Sequence, residues 1–378
     1  VISAETRTAG GVDWRSVAAQ VLAFAALAGF GYWLIANTLH NLEQRHVSTG
    51  FGFLTQVSGL PIADSPIAYD PTRSTFGVAL WVGFLNTLML SAAVIVAATV
   101  TGTLLGLARL SPNWMAATLS GLYVGVVRNL PALLIVLFTM SQMRRIGPPR
   151  QAISLPGGAF LSNRGLVLPS LTDGEGLGWL VVATLCAAGL TAWRVRARAR
   201  RWPWVVGAAL VAAALVFAVT PLRWAPVLPE LRGFNFVGGT VVSLEFIAML
   251  VALTAYFAAY VAETVRAGVL SVPAGLWDAA AALGLSRRTT LRRVVLPLAL
   301  RAIVPPITNS YLGIVKASAL GVAIGFQELV SVTNTALSMT GQSVELVTVL
   351  MLAYLAVGLA IGGVTHAFNE RLLRRGTM

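Results

Sequence analysis

Between Val272 and Pro297 the chain reads VPAGLWDAAAALGLSRRTTLRRVVLP, one aspartate and four arginines among leucines and alanines. Such a mixture does no bond chemistry; it grips a surface through charge and apolar contact together. Pro273 suits the first turn of a helix, where its missing N–H is not needed. That helix is expected to run to about Leu283, with Gly284 as the left-handed stop behind it. Ser286 can cap a second helix by accepting from a free N–H of its first turn. The second helix carries Arg287, Arg288, Arg292 and Arg293 and is expected to end near Leu296-Pro297. Asp278-Ala279-Ala280 puts small side chains on the first helix, so another surface can come close, and Trp277 supplies an apolar anchor. Two readings follow from these residues alone: arginines on lipid headgroups, or a handle for another protein.

Other charged residues interrupt apolar runs. Arg128 stands before Asn129 and three residues before Pro131, and a proline frees backbone groups that are tolerated where they line a cavity. Arg128 could meet a substrate carboxylate, snorkel to the inner surface, or pair with a carboxylate that fastens two helices. Glu263 and Arg266 are three apart on one helical face; an ion pair within the helix is the simple expectation, a coupling contact to the loop the sharper one. Lys316, the one lysine of the chain, lies in a run loosened by Gly313, Gly321 and Gly325. A buried ammonium needs a partner, so structural pairing is expected ahead of substrate contact. Glu245, Glu345 and Glu328 fall at the outer ends of apolar runs and are expected to be solvated.

Enzyme chemistry finds no support. His40, His46 and His366 are scattered, so no metal site is expected. There is no nucleophile elbow and no histidine–acid cluster. A phosphate-binding loop needs Gly-Lys-Ser/Thr, whereas Lys316 follows Val315, so the chain is not expected to bind nucleotide itself. An ion-coupled carrier, the rival reading, needs acids at mid-span, and these are sparse.

The elements that would position these residues follow from composition. The 378 residues are 57% hydrophobic and 11% charged, against roughly 25% charged in soluble domains. Apolar runs close to the ~20 residues that cross a bilayer recur throughout. An all-α polytopic membrane protein of about eight spans is expected, at 17–39, 78–107, 116–142, 178–193, 204–220, 243–268, 299–326 and 345–368. The net charge of +13 belongs to span-flanking arginines that set topology rather than to nucleic-acid binding. Placing both termini in the cytoplasm puts Arg109, the Arg194–Arg201 cluster, the 266–301 arginines and the tail inside. Segments 41–76, 143–177, 221–242 and 327–344 then lie outside; in the first three, Gly and Pro mark turns. Helices 178–193 and 204–220 look like an inserted hairpin. Cys186 can form no internal disulfide, and a cleavable signal peptide is not expected, since the first apolar run is long enough to span.

The loop also carries a pattern. Asp278-Ala279-Ala280, three residues, Gly284, nine residues, then Val294-Val295-Leu296-Pro297 resembles the loop signature of ATP-binding-cassette importer permeases, with Asp278 where the family usually has Glu. Tyr260 to Gly268, YVAETVRAG, resembles the approach to that loop in polar amino-acid permeases. Arg128-Asn129-Leu130-Pro131 resembles another of their elements. Asn309 with Lys316-Ala317-Ser318-Ala319-Leu320 is similar to a third, with Ser318 for Thr and Ala319 for Ser. The resemblance covers about 77–142 and 243–370. The extra first helix, long outer loop and inserted pair look like the larger, Q-type membrane subunit of general L-amino-acid importers, or its glutamate/glutamine/aspartate counterpart.

The resemblance implies a type I ABC importer transmembrane fold with coupling helices. It divides the chain into an N-terminal helix and periplasmic loop (1–76), a transmembrane domain (77–370, interrupted at about 143–242) and a basic tail (371–378). It implies a bacterial inner-membrane permease that binds no cofactor. ATP and Mg would sit on a partner ATPase gripping Asp278, Ala279, Ala280, Gly284, Arg287, Arg288, Leu296 and Pro297. A second, similar permease would complete the pathway, and a periplasmic amino-acid-binding protein would deliver the substrate. Arg128, Asn129, Pro131, Asn309 and Lys316 are the candidate pathway residues, and Glu263 and Arg266 the candidate coupling pair.

Overall fold

A computed structural model describes residues 14–44, 50–170 and 227–374. The expected spans 178–193 and 204–220, with the arginine cluster joining them, lie outside the described residues. Among the described residues ten α-helices and six short strands follow one another along the chain.

Helix α1 (Trp14–Gln44) presents Leu22, Phe24 and Leu27 to its surroundings, as a lipid-crossing helix does. The centre is built on α2 (Phe76–Ala108) and α5 (Leu244–Leu270), which run parallel and in close contact. Small residues allow that approach. A Cβ on Gly102 would stand 2.6 Å from the Val261 Cβ, and one on Gly106 would stand 2.7 Å from the Ala262 carbonyl oxygen. Without a hydrophobic drive between helices in lipid, four-residue spacing of small groups lets backbones meet. The main core lies between these helices and their neighbours: Leu90, Val94 and Ala98 meet Met249, Leu253 and Phe257, joined by Val136, Met140 and Ile314.

The expected span 116–142 is not one straight helix. It forms α3 (Trp114–Arg128) and α4 (Ala132–Met143), bent by 106° at Asn129-Leu130-Pro131. Pro131 has no N–H to continue the ladder, and the residue before a proline avoids helical backbone.

After α5 come α6 (Ala274–Ala282) and α7 (Arg287–Thr290), then a π-turn over Leu291–Val295 that feeds α8 (Leu296–Ala317). A 3-10 turn over Ser318–Ile324 completes a 38-residue helical rod that Gly325 ends at φ 86°. The expectation that the arginine helix stops near Leu296-Pro297 is therefore corrected. The π-turn, in which the Leu296 N–H reaches back to the Leu291 carbonyl, lies just before Pro297, whose missing N–H removes one bond of the ladder without ending the rod.

Residues 327–344, expected as a loop, form α9 (Leu329–Thr340), packed so closely on α2 that a Gly83 Cβ would stand 3.0 Å from Val332. Helix α10 (Ser343–Arg374) follows and lies against α8. Among the described residues five helices are long and apolar enough to cross a membrane, or six with the bent α3–α4 pair. The fold is that of a helical, multi-pass membrane protein.

The turn-rich segments also hold strands that their spacing did not reveal. β1 (Ile153–Leu155), β2 (Ala159–Ser162), β3 (Gly165–Leu168) and β6 (Thr240–Val242) make an antiparallel sheet in that order. β4 (Glu230–Arg232) and β5 (Asn235–Val237) form a hairpin beside it. Phe160 stacks on Phe236 at 4.8 Å, linking the two.

The bundle thus has two unlike ends. One carries the sheets, the segment 50–75 and the start of α9; we term it the strap end. The other carries Arg109, Arg128 and the 272–297 loop.

Candidate functional site

The loop is built by local chemistry. Helix α6 closes on Leu283, and Gly284 takes φ 69°. The Gly284 N–H donates to the Ala281 carbonyl at 2.9 Å and the Leu285 N–H to the Ala280 carbonyl at 3.0 Å. This pair of reverse bonds satisfies carbonyls the helix end would leave open and needs a left-handed residue, which glycine supplies at no steric cost. Ser286 Oγ then accepts from the Thr289 N–H at 3.3 Å and caps α7. The first helix is seated on the bundle: Ala280 and Val272 are buried, and Trp277 packs against the cluster of Val261, Val265 and Val295.

What remains outward is apolar and basic together. Asp278, Ala279, Arg287 and Arg288 are exposed, Leu283 is 79% exposed, and Leu285, Leu291 and Leu296 are open as well, while Pro297 is half-buried. Trp277, Ala281, Leu285, Arg287 and Thr290 line a groove of about 400 Å³.

A second cluster sits at the same end. Glu263 on α5 accepts from Arg266 Nη2 at 2.7 Å and from Arg109 Nη1, and Arg128 Nη1 lies 3.7 Å away. Arg128 also stands over the Tyr260 ring, 5.5 Å from its centroid. One carboxylate therefore holds three guanidinium groups from α2, α3 and α5. Of the readings open for Arg128, the geometry is that of the carboxylate pair joining two helices. Asn129 turns back, donating from Nδ2 to the Gly125 carbonyl at 2.7 Å, and Pro131 caps α4. Arg109 and Tyr260 enter this cluster unannounced, because 154 residues separate Arg109 from its partner.

Asn309 and Lys316 lie seven apart on α8 and both are exposed. Among the described residues Lys316 has no ion pair.

At the strap end two further expectations are corrected. Glu328 is fully buried, not solvated. It accepts from the Ser331 N–H at 2.9 Å as the cap of α9, from Thr87 Oγ1 at 3.2 Å and from the Tyr354 hydroxyl at 3.3 Å. Glu345 is 8% exposed and accepts from the Gly50 N–H at 2.5 Å. Both sit where an apolar run starts, but each is covered by segments distant in sequence. Glu245 is half-buried.

The segment 50–75 is tied across this end. Gln327 accepts from the Ala63 N–H and donates to the Pro61 carbonyl. Asn86 Nδ2 donates to the carbonyls of Asp64 and Gln327. Asp64 accepts from the Ser243 N–H at 3.0 Å and from its hydroxyl. Loss of water raises the Asp64 pKa, and the Ser243 bonds offset only part of that.

The family profile of binding-protein-dependent transport system inner membrane components matches residues 98–375. A putative amino-acid ABC transporter permease protein, YhdX of Escherichia coli strain K12, is 40% identical over 93% of each chain. The general L-amino acid transport system permease protein AapQ of Rhizobium johnstonii is 37% identical, over 95% of this chain and 92% of the relative. The glutamate/glutamine/aspartate/asparagine transport system permease protein BztB of Rhodobacter capsulatus is 30% identical over 95% and 94%. Among solved structures, an amino acid ABC transporter crystallised with histidines shares 18% identity and a TM-score of 0.47, covering 78% of this chain and 95% of that one.

Proposed function

From a chain that belongs to the family of binding-protein-dependent transport system inner membrane components, we propose a permease subunit of an ATP-driven importer of L-amino acids. The observation that carries it is the 272–297 loop: a rigidly bent pair of helices, seated by Ala280 and Trp277, offering exposed leucines and arginines to something in water. The ATPase would take that surface and would hold the ATP and Mg. The supporting relatives are permeases of amino-acid systems across nearly the whole chain. An ion-coupled carrier is not favoured, since such a carrier has no use for this handle.

The finer assignments belong to the same proposal. The loop, Arg109 and the tail lie in the cytoplasm of a bacterial inner membrane, the N-terminus with them, and the strap end faces a periplasmic binding protein. Residues 77–370 form the transporting unit, with 143–242 as an insertion. A second, homologous permease stands against the exposed face of α8, where Asn309 and Lys316 would meet the pathway. Glu263 and Arg266, as members of the arginine cluster, would relay motion of the loop to α2 and α3.

The test is assembly. With Leu283 and Leu285 both changed to Asp, the chain should still insert, but the ATPase should no longer co-purify and ATP-dependent uptake into proteoliposomes should vanish. Retained co-purification with full uptake would overturn the proposal.

A further inference from the structure

The arginine cluster is not closed. Beside it lies an open cavity of about 350 Å³, bounded by Arg109, Arg128, Tyr260 and Glu263 and floored by Gly121 and Gly125. We propose that this cavity binds the headgroup of an anionic phospholipid, the phosphate on Arg128 and Arg109 and the acyl chains along α3.

Charge is the first argument. Three guanidinium groups share the single carboxylate of Glu263, so two positive charges in the cluster are left uncompensated. Arg109 is held closely and is 18% exposed; Arg128 is held only at 3.7 Å and is 42% exposed. A guanidinium offers a fork of donors that matches a phosphate, and Arg128 has donors left to give. The Tyr260 ring beneath it keeps the group at the cavity mouth.

Space is the second. Gly121, Gly125 and Arg128 follow at i, i+4 and i+7 on one flank of α3. A Cβ on either glycine would meet nothing within 4 Å. Packing does not require glycine there; its effect is to leave room.

The surroundings decide between a lipid and a free oxyanion. On α3 the cavity flank lies between the packed side, Ser120 and Val124, and a side where Leu119, Leu122 and Val126 are each more than half exposed. Helix α2 has 33 residues, a rise of about 50 Å, against a hydrocarbon core of ~30 Å. A helix of that length outreaches the core, and its Arg109 end, where three guanidinium groups gather, is the end suited to the headgroup layer. An anion-binding pocket at that depth, bordered by a strip of leucine and valine, fits a molecule with a phosphate at one end and hydrocarbon at the other. The inference does not rest on the ATPase assignment.

The experiment uses the detergent-purified transporter that contains this chain. Dioleoyl phosphatidylglycerol or dioleoyl phosphatidylcholine is titrated in and bound lipid is read by native mass spectrometry. The wild type should retain phosphatidylglycerol more strongly than phosphatidylcholine. Arg128→Gln and Gly125→Leu should each cut phosphatidylglycerol retention by about tenfold, the size of one lost charge-assisted contact, and leave phosphatidylcholine retention as it was. Gly125→Leu fills the cavity without touching a charge, so it stands as the test should Arg128→Gln fail to fold. Unchanged phosphatidylglycerol retention in Gly125→Leu would overturn the proposal. Displacement of the lipid by equimolar inorganic phosphate would also overturn it, since the site would then serve a soluble anion.

Discussion

At the scale of single residues, the acids of the strap end carry the sharpest expectations. Glu328 caps α9 and has two further donors aimed at it, so Glu328→Ala removes a cap and leaves Thr87 and Tyr354 without their acceptor. A loss of about 1–3 kcal/mol is expected, visible as a lower midpoint in thermal unfolding of the purified protein. A midpoint unchanged from wild type would show the buried carboxylate to be idle. Asp64 gives a pH dependence whose sign follows from its raised pKa. A carboxyl that binds its proton more tightly when folded stabilises the fold fully below its unfolded pKa, near 3.8, and loses that contribution as pH rises through the folded value. In the window just above 3.8 the wild type should therefore gain stability on acidification relative to Asp64→Asn. Parallel pH profiles for the two proteins would refute this.

The residue scale also shows what a sequence gives away. Gly284 and Ser286 were legible because each answers to neighbours a few positions off. Glu328 and Glu345 were misplaced because what buries them comes from α2, α10 and the segment at Gly50. A run of apolar residues marks where a helix starts, not what lies on top of it. The partners of Glu263 show the same divide: Arg266 at i+3 is visible in the sequence, Arg109 and Arg128 are not.

At the scale of elements, the bend after α6 is the piece on which the loop depends. Gly284→Arg forces a side chain into φ 69°, costing roughly 1 kcal/mol or more, and sets a fifth cation at the corner. The variant should insert normally and lose most ATP-dependent uptake; wild-type uptake would deny the corner any role. The elements were read well where period and length are long, as in α2, α5 and α10. They were read poorly where they are short: strands of three or four residues show no alternation to count. The 106° turn at Pro131 is a third case. The proline announces a break, but the angle is set by packing of α4 on α5.

For the whole molecule, the two ends should lie on opposite sides of the membrane. Cysteines placed at Ser286 in the loop and at Ser65 in the strap should be labelled by an impermeant maleimide from opposite faces in intact and inverted vesicles. Labelling of both from one face would dismantle the topology that the arginine distribution predicts. That distribution is a property of the entire chain, which is why polytopy could be read from composition while the count of spans could not.

The helical rod from Arg287 to Ile324 deserves its mechanical consequence. Its 38 residues reach about 57 Å at 1.5 Å per residue, unbroken by any loop but crossed by a π-turn, by Pro305 and Pro306, and by a 3-10 turn. Its basic foot belongs to the loop, and three residues past its tip Gln327 clasps Pro61 and Ala63. Each internal proline removes a ladder bond and lets the shaft flex there, so a tilt of the foot reaches the clasp as a bend spread along the rod rather than as the swing of a stiff lever.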